Sequence, residues 1–299
     1  MTDSEGSPRP GPEIPPFDEE EGAGGLKAIG QLFLVPALIV LVAVGVFLSM
    51  NFLVGGDRAP EDILQQVASG DSRRRGQAAF ELSKRIAAAP ELLEDAAFQA
   101  QLLAVYDRTA GGDPEPRRYL TRVLSFATIP AAIPSLLEAT SDPDAETRLY
   151  AIVALGNGRA YEALPRMVEL TRDEDPGIRS VAVAALASIG DPTAVSAVQA
   201  RLQDGAVDVA WNAANALTHL GSPSGEDLLI QMLDREYLAR QPEMTPQLEQ
   251  QTMLMAVEGL GRLERILPSP ARRERLEELS RQAEHPLVQE AAIRALRAN

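Results

Sequence analysis

From residue 57 to the C-terminus, apolar residues recur at helical spacing and are interrupted by short turn signals. Ile178, Val181, Ala182, Ala185 and Leu186 fall at i, i+3, i+4, i+7 and i+8, which is one face of an α-helix. The pattern then repeats. "DEDPGIRSVAVAALASIGDPTAVSAVQARLQ", Asp173 to Gln203, aligns without gaps on "DGAVDVAWNAANALTHLGSPSGEDLLIQMLD", Asp204 to Asp234, a period of 31 residues. A fixed period of this length marks a solenoid, because one helix pair cannot bury its apolar stripe until a neighbour stacks on it.

The pattern predicts about seven helix pairs. Inner helices are expected near 73–88, 114–127, 143–157, 176–189, 207–220, 247–263 and 286–298. Outer partners are expected near 60–69, 91–109, 130–140, 161–171, 192–203, 224–234 and 271–283. An aspartate or Asp-Pro turn caps and opens most inner helices, and Gly158, Gly190 and Gly221 are placed to stop three of them. Residues 235–247 lengthen the turn into the sixth inner helix, on what is expected to be a working face.

Two segments precede the solenoid. Residues 1–26 are acidic and rich in proline and glycine, and are expected to be a disordered tail. Residues 27–55 carry no charge after Lys27, and Leu32 to Val54 alone would extend about 34 Å as a helix. That length crosses a hydrocarbon core of about 30 Å, so one transmembrane helix is expected, in contact with lipid through residues 28–54. The long acidic segment before it and the absence of a small-residue cleavage site argue against a signal peptide. Arg58, Arg73, Arg74 and Arg75 on the C-terminal flank outnumber Lys27 and Arg9, which favours a cytoplasmic solenoid.

Composition then narrows the chemistry. The net charge of -15 disfavours nucleic acid as a partner. The absence of cysteine removes thiolate chemistry and disulfides. His219 sits near an inner-helix end with no ligand-type residue at i+3 or i+4, and His285 stands before Pro286 in a capping turn. Phosphate-loop and nucleophile-elbow motifs are missing, so no catalytic residue, metal ligand or cofactor is expected. Surface remains. Trp211, Asn212 and Asn215, with Arg148 and Arg179 as a rim, form the candidate protein-binding surface, since interfaces favour tryptophan and arginine. Arg73, Arg74 and Arg75 are the candidate contacts to anionic head groups.

The unit "DPGIRSVAVAALASIGDPTAVSAVQARL" resembles the HEAT repeat in its short bacterial form named after phycobilisome lyases, strongly over Asp142 to Asp234 and loosely over the rest of the solenoid. The resemblance implies an all-α solenoid whose inner helices line a concave surface for another macromolecule. Together with the apolar span it leads to a bacterial inner-membrane scaffold or adaptor, an accessory subunit of a membrane complex rather than an enzyme. The alternative is a lyase or isomerase of the phycobilin lyase type acting on a tetrapyrrole.

Overall fold

A computed structural model describes residues 58–297. The tail expected at 1–26, the transmembrane helix expected at 27–55 and the last residues of the final predicted helix lie outside the described residues. Among the described residues no helix is long and apolar enough to cross a membrane. They form a helical solenoid without strands.

The helices are α1 (Pro60–Ser69), α2 (Ser72–Ala88), α3 (Ala96–Asp107), α4 (Pro114–Leu124), α5 (Ile133–Ala139), α6 (Ala145–Asn157), α7 (Leu164–Leu170), α8 (Pro176–Ile189), α9 (Val195–Gln199), α10 (Val207–His219), α11 (Glu226–Gln231), α12 (Arg235–Ala239), α13 (Pro246–Ile266), α14 (Pro270–Gln282) and α15 (Pro286–Arg297). The inner helices α2, α4, α6, α8, α10, α13 and α15 pack successively on one another as a row. Side-chain caps explain where they begin. Asp71, Asp113, Asp144 and Asp175 accept hydrogen bonds from backbone amides in the first turns of α2, α4, α6 and α8.

Close approach within the row depends on small residues. A β-carbon added at Gly156 would lie 2.8 Å from both Cα and Cβ of Ala185 on the next inner helix, so only glycine permits this spacing. The buried core divides into two clusters. One runs from Ile63 to Leu220 and the other from Trp211 to Ala295, with Leu202 packed against both.

Three local expectations need correction. Four outer helices, expected to be continuous, open instead with a three-residue 3-10 turn, as at Pro130–Ala132 and Pro192–Ala194. Proline has no N–H to give, and the amides two residues later reach back only three residues, as from Ala132 N to Ile129 O and Ala194 N to Asp191 O. Their C-terminal residues likewise fold into tighter turns, with Arg201 N donating to Val198 O. The second correction is α12, inside the expected loop. Asp234 accepts from Glu236 N at 2.8 Å and Tyr237 N at 3.3 Å, which nucleates the short helix.

Third, Gly158 does not adopt the left-handed capping conformation. Its φ is -73°, and the left-handed residue is Arg159 at φ 48°. Gly190 (φ 78°) and Gly221 (φ 73°) occupy the same place in the next two units. A left-handed non-glycine residue costs roughly 1–2 kcal/mol, offset in part by the smaller entropy it loses on folding. Arg159→Gly is therefore expected to raise stability by about 0.5–1 kcal/mol, read as a higher denaturant midpoint with an unchanged slope.

Candidate interaction surface

The period of 31 residues aligns surface positions as well as core ones. Arg117, Arg148 and Arg179 are successive equivalents, as are Asp142, Asp173 and Asp204. Arg117 Nε lies 2.7 Å from Asp142 Oδ2, with both side chains nearly buried. Arg179 forks onto Asp204 at 2.7 and 3.0 Å, and its remaining nitrogen donates to the carbonyls of Asp173 and Glu174. Arg148 donates to the carbonyls of Asp142 and Pro143. The two arginines expected to rim an interface thus tie inner helices to the turns around them. Arg179 holds the Asp204 carboxyl below the usual carboxylate range, with the Ala206 amide adding to the effect.

A neighbouring pair gives a pH signature. Arg118 grips Asp144 at 2.6 and 3.0 Å, and Thr147 donates to the same carboxylate from its amide and hydroxyl. Led by the Arg118 hydrogen bond, these partners lower the Asp144 pKa to about 2. An unfolded aspartate titrates near 3.9. The folded value is the lower, so the stability this carboxylate contributes is present above about pH 4 and is lost as pH falls toward 2. Asp144→Asn is expected to flatten the loss of thermal stability measured between pH 4 and pH 2, while leaving the slope above pH 5 unchanged.

Trp211 is 5% exposed. Its Nε1 donates to Tyr237 Oη at 3.4 Å, so α12 holds the indole in place. The ring forms one wall of a groove of about 490 Å³ between α10 and α13, whose other apolar walls include Met244, Leu248 and Met255. Asn212, at the groove edge, donates to Ser180 Oγ at 2.6 Å. Asn215 is half-buried, and its carbonyl accepts from Thr218 Oγ1. The structure therefore brings Trp211 and Asn212 together at one groove, with Arg148 and Arg179 engaged elsewhere.

The sequence reading missed a second feature on the same row. Phe80 of α2, 44% exposed, packs against Tyr119 of α4 in a tilted pair with ring centroids 5.1 Å apart. Lys84 Nζ stands 5.6 Å from the Phe80 ring, and the Arg122 guanidinium 6.0 Å from that of Tyr150 on α6. These contacts join rings and cations across three successive inner helices, with Phe80 exposed and Tyr119, Arg122 and Tyr150 half-buried. The available signal was the 31-residue spacing of Tyr119 and Tyr150.

Along the C-terminal ends of α4, α6, α8 and α10 runs a cleft of about 520 Å³, lined by Phe126, Asn157, Ser188 and His219 at one residue per unit, and by Arg159. Burial pushes the His219 imidazole below its ordinary pKa, and the Arg262 guanidinium adds to the effect. His285 Nε2 lies 3.3 Å from Glu249 Oε1, a carboxylate that also binds Arg235. At the other end, Arg75 Nε donates to Val67 O, joining α2 to α1. Arg74 pairs loosely with Asp71 at 3.4 Å, and Arg73 and Arg74 both face solvent.

Residues 133–210 match the HEAT repeats family. No curated protein matches the sequence. Among solved structures, the complex of CpcE and CpcF of phycocyanin lyase from Nostoc sp. PCC7120 is similar in fold, with a TM-score of 0.53 at 20% identity over 81% of this chain and 95% of that one. An engineered protein gives a TM-score of 0.47 at 17% identity over 80% of this chain and 96% of its own. The described part of the chain is an all-α repeat solenoid whose central residues 133–210 are similar to HEAT repeats.

Proposed function

We propose that this protein is a membrane-tethered scaffold that holds another protein along its inner row, as an accessory subunit of a membrane complex. The observation that carries the reading is the run of Phe80, Tyr119 and Tyr150 with Lys84 and Arg122 across three stacked helices. Rigid rings and arginine give contact area at low entropic cost and are enriched where binding energy concentrates. The uncharged stretch from Ala28 to Gly56 supports the tether, and the excess arginine on its C-terminal side supports a solenoid facing the cytoplasm of a bacterial cell. Arg73 and Arg74 then stand ready for anionic head groups. The alternative, a tetrapyrrole lyase or isomerase, rests on a likeness of fold at 20% identity, which carries no chemistry.

Gentle detergent extraction of a tagged full-length chain tests the reading. A protein is expected to co-purify from the membrane fraction with the wild type and to be lost with the Phe80→Ala, Arg122→Ala, Tyr150→Ala combination. Recovery of the chain from the aqueous fraction would remove the tether, and undiminished co-purification with the triple variant would remove the inner row as the binding surface.

A further inference from the structure

We propose that the cleft between α13 and α15 is a phosphoryl-binding site, separate from the aromatic run and independent of partner capture there. Arg262, Arg265 and Arg294 all line this cleft of about 320 Å³, and the acid among its lining residues is Glu258. Three guanidinium groups against one carboxylate leave 3 − 1 = +2 at one place in a chain of net charge -15.

That excess is unlike the rest of this end of the solenoid. Arg235, Arg272, Arg273, Arg275 and Arg281 each pair with a glutamate. Arg265 and Arg294 are exposed and are not among the paired arginines. Arg262 is half-buried and held in place from below, donating to Thr218 Oγ1 at 2.7 Å. Burial, and then the charge of Arg265, push the Arg262 guanidinium below its ordinary pKa, against the smaller opposing pull of Glu258. The floor is formed by Gly261 and Ala295, where an added β-carbon would come within 2.6 Å of Ala295 Cβ. Glycine there brings α13 and α15 close enough for arginines from both helices to face one space.

A phosphate monoester carries a charge of about -1.5 to -2 near neutral pH and offers three acceptor oxygens, which matches three guanidinium groups with a net charge of +2. A single carboxylate would satisfy only half of that charge. Arginine forks also suit phosphate geometry, forming charge-assisted bonds that lysine does not reproduce in pairs.

The test is calorimetric titration of the full-length chain in neutral detergent, at fixed ionic strength, with three probes: inorganic phosphate, a phosphoserine hexapeptide and dihexanoyl phosphatidic acid. Saturable binding is expected for at least one probe. R265Q/R294Q is expected to weaken it by about tenfold or more, as loss of two charge-assisted bonds implies. Both positions are exposed, so melting and circular dichroism should be unchanged. R265K/R294K should recover part of the affinity. Preference for the phosphopeptide over its unphosphorylated form and over the lipid assigns a protein-borne phosphate, and the reverse preference assigns a lipid head group. The proposal is overturned if no probe saturates, if the glutamine variant binds as tightly as wild type, or if acetate competes as well as phosphate.

Discussion

Replacing Glu264 with alanine is expected to destabilise the C-terminal pairs by about 3 kcal/mol, the cost of leaving buried donors on Arg272 and Ser269 unsatisfied. The Glu264 side chain is fully buried. It accepts from the Ser269 amide at 2.9 Å and pairs with Arg273 at 3.0 Å and Arg272 at 3.5 Å. Arg272 is itself buried and forks onto Glu226 of α11 at 2.7 and 2.9 Å. One carboxylate therefore links α13 and α14, and through Arg272 reaches the preceding outer helix. Its removal strands the Arg272 guanidinium between a single remaining carboxylate and the Leu267 carbonyl. For a domain of this size the melting temperature should fall on the order of 10 °C. Because stability in a solenoid is a sum of units and their interfaces, hydrogen exchange should accelerate first in α14 and α15. Glu264→Gln, which keeps an acceptor oxygen, should lose less.

Trp211→Ala is the second large effect, about 3–5 kcal/mol, as for an aromatic removed from a core. The ring is nearly buried, belongs to the C-terminal core cluster and is tied to Tyr237. Its removal takes the hydrogen-bonded support from α12 and opens the seam where the two core clusters meet. Trp211→Phe should recover much of the stability in urea unfolding. A consequence for binding follows from the same burial. Loss of capture in Trp211→Ala would report unfolding of the seam, whereas Leu248→Ser, at a groove position 38% exposed, changes the groove with little cost to the core.

The fold was legible because its two signals repeat. In the central units apolar residues at helical spacing recur every 31 residues, as do the caps Asp113, Asp144 and Asp175, and all seven inner helices fall within a few residues of their expected ends. The misses were local and shorter than any period. Helix α12 has five residues, the 3-10 openings have three, and Arg159 holds a backbone conformation that its identity argues against.

The interaction surface was less legible. Arg148 and Arg179 were read as rim residues because arginine favours interfaces. Yet the parallel repetition of Arg117, Arg148 and Arg179 with Asp142, Asp173 and Asp204 is the mark of a structural ladder, since a partner rarely demands one charge per unit. Trp211 was found because it interrupts an alanine-rich helix. The aromatic run was missed because Phe80 lies in a degenerate unit whose register with Tyr119 emerges only when α2 packs on α4.

The central claim is that the inner row, rather than the outer helices, receives the partner. Site-specific photocrosslinking in intact membranes tests it directly, with a photoreactive residue at Phe126 or Tyr150 on the inner row and at Tyr161, 60% exposed where an outer segment begins. The account predicts a discrete crosslinked protein from Phe126 and Tyr150 and none from Tyr161. The same adduct from Tyr161, with none from the inner positions, would contradict it.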